Sequence, residues 1–364
     1  MKNTFGNSIA LTLFGESHGE AIGAVLDGLC AGLDIDIDFI NAQLAKRRPN
    51  AKTDTPRVEN DNFKLVSGVF NGKSTGAPIT IIIPNENTHS GAYTYGIARP
   101  SHADYSAFCK YHGYEDYRGG GHFSGRITAG IVGIGAILIK ALEKLGIKIG
   151  THILSCAGVT DREFECIEAD ISTLATREFP TLCADAEAQM TSKILEARAQ
   201  GDSVGGVLQT AIIGMPAGVG EPWFDSVESM LGHAIFSIGG IKGIEFGAGF
   251  ALANMKGSEA NDALTYDGDK VVTVTNNNGG INGGITNGMP IVFKSAMKPT
   301  PSILRPQSTV DFLNEKSVTH TVSGRHDPAI VRRACVVIDS ICALVVADML
   351  AQRYGTDVFL KGIE

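Results

Sequence analysis

Apolar and polar residues alternate from Asn7 to Leu13 and from Ala21 to Leu29, which predicts two β-strands joined by the turn Gly15-Glu16-Ser17-His18-Gly19. The spacing of Ile37, Ile40 and Leu44 then predicts a helix over Asp36 to Arg48, capped by Asp36 or Asp38 and stopped by Pro49. A strand pair follows at Lys64 to Phe70 and Pro78 to Ile83, and a polar stretch with little periodicity runs on to Tyr117. Such long irregular segments in a compact chain are usually functional or mobile. Ser124 to Leu145 reads as a long helix rich in glycine and alanine, and each interior glycine costs it ~1 kcal/mol, so close packing and burial are expected. Further on come helices at Ala186 to Ala199 and Ser226 to Ser237, and strands at Val204 to Gly214, Ile244 to Met255, Lys270 to Thr275 and Met289 to Ala296. The last long helix is expected over Pro328 to Arg353, with Asp327 as N-cap and Pro328 at its first position.

Strands in pairs with helices between the groups predict an α+β fold with antiparallel sheets. Each half has strands followed by a long small-residue helix, which hints at internal duplication without a residue-level repeat. No low-complexity linker divides the 364 residues, and one domain spanning 1–364 is expected.

Composition narrows the function. With 43% hydrophobic and 19% charged residues and a mean hydropathy of +0.07, the chain has the balance of a globular protein. Its 44 glycines exceed the usual ~7% and suit tight turns and binding loops. A net charge of -8 without a long basic run argues against nucleic acid or an anionic membrane as partner, so an anionic ligand must meet a local cluster of cations. No signal peptide or spanning segment is read, and seven scattered cysteines without Cys-x-x-Cys suit reduced thiols, so a cytoplasmic location is expected.

Several segments carry candidate chemistry. Gly15 to Gly19 matches the Gly-x-Ser-x-Gly elbow of hydrolases, but a strand-like run follows where the elbow needs a helix. The same turn presents His18 between small neighbours. His102, in Arg99-Pro100-Ser101-His102-Ala103-Asp104-Tyr105, is either a general acid or a structural histidine satisfied by Asp104. Arg118-Gly119-Gly120-Gly121 before a helix, with Arg126 one turn inside, reads as a phosphate or flavin cradle. Gly324-Arg325-His326-Asp327-Pro328 offers a guanidinium at a helix start, with Asp327 as cap or proton acceptor. Gly279 to Gly288 and Lys298-Pro299-Thr300-Pro301-Ser302 add backbone donors, hydroxyls and an ammonium, or are simply a hairpin and a turn. Lys46, Arg47 and Arg48 either complement a helix dipole or bind an anion.

Six ordered blocks, FGESHG, AKRRP, RPSHADY, DYRGGG, GGITNGMPI with KPTPSI, and GRHDP, together resemble the chorismate synthase family from Phe14 to about Arg333. The resemblance implies a β-α-β-α sandwich, with paired helices between antiparallel four-stranded sheets, assembled as a homotetramer. It implies 1,4-anti elimination of phosphate from 5-enolpyruvylshikimate-3-phosphate to give chorismate. It further implies a requirement for reduced FMN without net redox change, supplied from an external source, and the family's association with NADP. By motif, His18 and His102 match two acid histidines, one serving the flavin and one the phosphate, while Asp327 matches a proton-relaying carboxylate. Arg47, Lys52, Arg99, Arg126 and Arg325 match the substrate cations, with Thr53 or Arg57 as alternatives to Lys52. His122, Phe123, Ser124, Gly239, Gly240, Gly283, Lys298, Pro299, Thr300, Pro301, Ser302 and Arg325 match the FMN contacts. The chain departs from the pattern at His122-Phe123-Ser124, where Arg-Ser-Ser is usual, and at Gly247-Ala248-Gly249-Phe250, where a carboxylate is lost. A non-catalytic FMN or phospho-ligand binding protein is the competing reading.

Overall fold

The computed structural model describes residues 2–49, 51–55, 60–86, 93–322, 324 and 326–363. The first half contains β1 (Thr4–Phe5), β2 (Ala10–Gly15), β3 (Ala21–Asp27), α1 (Ile37–Arg47), β4 (Lys64–Ser67), β5 (Ile79–Pro84), α2 (Asp104–Tyr111) and α3 (Thr128–Glu143). The second contains β6 (Lys148–Cys156), β7 (Val159–Thr160), α4 (Ile167–Leu174), α5 (Ala184–Ala199), β8 (Gly206–Ile213), α6 (Val227–Ile235), β9 (Ile241–Phe246), β10 (Ile291–Met297) and α7 (Val331–Tyr354).

Two antiparallel sheets result, ordered β1-β2-β3-β5-β4 and β9-β10-β8-β6-β7. Each has four longer strands and a two-residue edge strand, β1 or β7, so the expected four-stranded sheets gain one short strand each. With these edges set aside, the halves share one topology. With the helices α2, α4 and α5 also left out, both read β-β-α-β-β-α, and both place their four strands in the order first, second, fourth, third. The duplication is therefore carried by connectivity rather than by repeated residues.

Helices α3 and α7 lie against each other between the sheets, α3 on β3 and β5, α7 on β6 and β8. The glycines of α3 explain the fit. A Cβ on Gly133 would stand 2.4 Å from Ile81 of the first sheet, and one on Gly135 would stand 2.3 Å from the Ser340 Cβ of α7. Backbone-close packing thus offsets their poor helix propensity. The segments 125–143 and 331–354 are long and apolar enough to cross a membrane, yet 78% and 94% of their apolar windows are buried in this core.

Local signals set the element ends. Asp36 caps α1 by accepting the Phe39 N–H at 2.8 Å, and Arg48 turns extended before Pro49. Buried Asp348 of α7 accepts N–H bonds from Asn7, Ser8 and Ile9, fixing the chain as it enters β2. The expected helix over Ser124 to Leu145 begins with a 3-10 turn at Gly125–Ile127. The final helix starts at Val331 rather than Pro328, and Asp327 is not its cap, because its carboxylate has other partners. The strand expected over Ile244 to Met255 ends at Phe246, after which Gly249–Asn254 forms a 3-10 turn.

Candidate active site

Loops from both halves converge on a hollow of about 930 Å³ beside α3 and α7. His18, His102 and Asp327 line it, as do Arg47, Arg99, Arg126, His122, Phe123, Ser124, Gly239, Gly240 and the whole segment Lys298 to Ser302. Two of the expected residues fall elsewhere. Lys52 is exposed outside the hollow, its carbonyl accepting from Arg198 at 3.1 Å. Gly283 lies in a small hairpin, Ile281–Asn282 with Ile285–Thr286, that does not reach the hollow. Arg325, like Arg57, lies outside the described residues.

The turn bearing His18 joins β2 to β3, so the strand-then-helix context of a hydrolase elbow is absent here. Ser17 is buried, with its hydroxyl 3.2 Å from His18 Nδ1 and donating to the Gly119 carbonyl at 3.3 Å. The His18 ring meets the edge of Tyr93 and presses so closely on Gly119 that a Cβ there would lie 2.1 Å from its Cε1. Gly119 also has φ +60°, so glycine is required on both grounds. Gly119, Gly120 and Gly121 all have positive φ, Gly119 seats His18, and Gly119 and Gly120 line the hollow, while the helix expected directly after them begins only at Thr128.

Each described substrate-type arginine is oriented by a carboxylate. Arg47, at the end of α1, donates Nη1 to Asp61 at 3.1 Å, Nε to Thr128 at 3.0 Å and Nη2 to the Gly125 carbonyl at 3.1 Å. Arg126 donates Nη1 to the other oxygen of Asp61, Nε to Asn85 at 3.1 Å and Nη2 to the Pro84 carbonyl at 3.1 Å. Burial works against ionisation of Asp61, but Arg47 and Arg126 hold its carboxyl below the usual range. Arg99 forms a bidentate pair with Asp104, 2.8 and 2.7 Å, and lies 5.5 Å from the Tyr93 ring centre. Burial opposes ionisation of Asp104 too, and the Arg99 bonds pull its carboxyl down.

His102 Nε2 lies 2.7 Å from Ser302 Oγ, two hundred positions along the chain. Burial, with Arg99, Lys298 and His326 outweighing Asp104, pushes His102 down to about 4, so the ligand-free ring is neutral at pH 7. Asp104 is spoken for by Arg99, which removes the reading of His102 as a histidine satisfied by Asp104. Lys298 donates to the Ser101 carbonyl at 2.7 Å, and burial, with Lys242 nearby, lowers its ammonium. His122 bonds through Nδ1 to the Gly15 carbonyl at 2.7 Å, so Nδ1 carries the proton. Asp327 accepts the Thr55 N–H at 3.0 Å and pairs with Arg333.

Asp61, Tyr93, His326 and Arg333 were not singled out by sequence. Arg333 and Tyr93 line the hollow but lie outside the six sequence blocks, while His326 lines it from within GRHDP.

Residues 9–351 match the family model described as chorismate synthase. The chain belongs to the chorismate synthase family. A chorismate synthase from Thermococcus gammatolerans is 43% identical over 352 residues, covering 96% of this chain and 97% of that protein. One from Dehalococcoides mccartyi is 43% identical and covers 98% of both. A crystal structure of chorismate synthase superposes with a TM-score of 0.76 at 29% identity, covering 96% of this chain and 94% of that one, and has the same α+β fold.

Proposed function

We propose that this chain catalyses the 1,4-anti elimination of phosphate from 5-enolpyruvylshikimate-3-phosphate to give chorismate, with reduced FMN seated beside the substrate. The observation that carries this reading is the convergence of His18, His102, Asp327, Arg47, Arg99 and Arg126 on one hollow from segments as far apart as β2 and α7. At about 930 Å³ the hollow is at the upper end of the ~300–1,000 Å³ usual for ligand sites, as two ligands require.

The lining fits a flavin mononucleotide. Ile127, Ile131, Val337, Ile341 and Leu344 form an apolar wall suited to a flat ring system. Lys298 supplies a cation, and Thr300 Oγ1 is buried with no hydrogen-bond partner among the described residues. A Cβ on Gly239 would meet open space, so the backbone there leaves room for a ligand. Lys298, Thr300, Ser302, His122, Gly239 and Gly240 would hold the group. Reduced FMN supplies the transient electron density for C–O cleavage, because the hydrogen lost from substrate carbon 6 is poorly acidic.

The side chains divide the remaining work. Arg47, Arg99 and Arg126, already oriented by Asp61 and Asp104, hold the substrate's carboxylates and phosphate in a fixed geometry. His18 donates a proton to the leaving phosphate, and Asp327, held by Arg333 and the Thr55 N–H, receives the proton from carbon 6. His102, hydrogen-bonded to Ser302, keeps its proton on the cofactor side. Burial is the largest cause that holds His102 down, with Arg99, Lys298 and His326 adding to it; anions bound beside the ring offset that electrostatic part and favour its protonated form. The same reading carries a homotetramer, an external source of reduced flavin and a cytoplasmic setting.

Protein incubated anaerobically with reduced FMN and the enolpyruvyl substrate is expected to release phosphate and chorismate in equal amounts. FMN binding without phosphate release would favour the binding-protein reading instead.

A further inference from the structure

We infer that Asp61 is a positioning residue for anion recognition: one buried carboxylate that fixes two guanidiniums, Arg47 and Arg126, against the substrate hollow. This rests on the proposed function of that hollow. Asp61 does not line it, and its side chain is fully buried behind the two arginines, which do. Its oxygens are divided, Oδ2 to Arg47 Nη1 and Oδ1 to Arg126 Nη1.

The two arginines come from separate elements, one from the end of α1 and one from the 3-10 turn before α3, and each side chain is 5% exposed. Like charges brought this close in a poorly hydrated place repel strongly, and a shared anion is what allows both to stay. Bonds to Thr128, Asn85 and the carbonyls of Gly125 and Pro84 orient the two guanidiniums further.

The Asp61 backbone has φ +50°, a left-handed conformation that asparagine also adopts readily. Asp61→Asn therefore removes the charge without straining the chain. In Asp61→Asn, KM for the phosphorylated substrate is expected to rise at least about tenfold, while kcat changes less than KM, since two oriented cations are lost to ground-state binding. Asp61→Glu, which restores the charge one methylene away, is expected to fall between the two. A purely structural role would lower Tm or the active fraction and leave KM unchanged, and that outcome overturns the proposal.

A crystal structure of ligand-free Asp61→Asn provides the readout that does not depend on turnover. At least one of the two guanidiniums is expected to leave its present position, and both remaining in place contradicts the inference. If Asp61→Asn fails to fold, Asp61→Glu decides alone: a wild-type KM and unmoved guanidiniums overturn the proposal, and a raised KM or a displaced guanidinium supports it. Absence of turnover in the wild-type protein would count against the function, while the guanidinium positions still test Asp61.

Discussion

Helices α3 and α7 occupy equivalent places in the two halves and pack against each other, yet they are built by opposite means. Helix α3 omits side chains: Gly130, Gly133 and Gly135 let the first sheet and α7 approach to backbone distance. Helix α7 instead carries polar groups that tie down remote segments. Arg332 pairs with Asp54 and donates to the Arg48 carbonyl, Asp339 accepts from Thr151, and Asp348 gathers the N–H groups of Asn7, Ser8 and Ile9. The difference separates two tasks. Close packing in α3 sets the frame, and the buried polar groups of α7 fix segments that lead to the hollow, including those before His18 and after Arg47.

Substitutions can break this contrast at each point. His102→Ala should leave the frame intact and lower turnover by about 10²–10⁴-fold, the usual contribution of a positioned acid or base, as measured by anaerobic phosphate release with Tm unchanged. Asp348→Ala leaves three N–H groups without their acceptor and is expected to lower stability by about 3 kcal/mol, read from denaturant unfolding. A stability equal to wild type would show that the N-terminal segment is not anchored there. Gly135→Ala pushes a methyl to within 2.3 Å of Ser340 Cβ, and overpacking of this kind costs ~1–3 kcal/mol. The same substitution at Gly125, whose Cβ would meet nothing within 4 Å, should be nearly neutral.

The smallest effect concerns pH. Burial raises Asp339 to about 7, despite the Thr151 bond and nearby Lys46. A carboxyl raised in the folded state binds its proton more tightly than the unfolded chain does, so it disfavours folding increasingly as pH rises from about 4 through 7. Asp339→Asn, which still accepts from Thr151, should raise Tm at pH 8 and leave it close to wild type at pH 4. Equal Tm differences at the two pH values would contradict the assignment.

Periodicity revealed most of the repeated frame: α1, α3, α5, α6, α7 and the strands β2, β3, β4, β5, β8 and β10 lie where it placed them, within a few residues. Strand β6 escaped because burial on both faces removes the alternation that marks a strand. Helix α2 was hidden in a polar stretch, since only Ala107 among its eight residues is buried. The hairpin Gln307–Asp311 with Lys316–His320 is polar on both faces and gives no core signal. In the site, motifs located individual residues but not their pairings. Asp61 meets Arg47 and Arg126 across 14 and 65 positions, and Ser302 meets His102 across 200, separations at which local spacing says nothing. Asp327 shows the converse error: beside Pro328 it reads as a helix cap, whereas tertiary contacts give its carboxylate to Thr55 and Arg333.

The most direct test of the account is a crystal structure of the protein with oxidised FMN and 5-enolpyruvylshikimate-3-phosphate. Both ligands are expected in the single hollow, with the substrate's anionic groups on Arg47, Arg99 and Arg126 and the flavin beside Lys298 to Ser302. Ligands bound elsewhere, with His18, His102 and Asp327 touching neither, would contradict it.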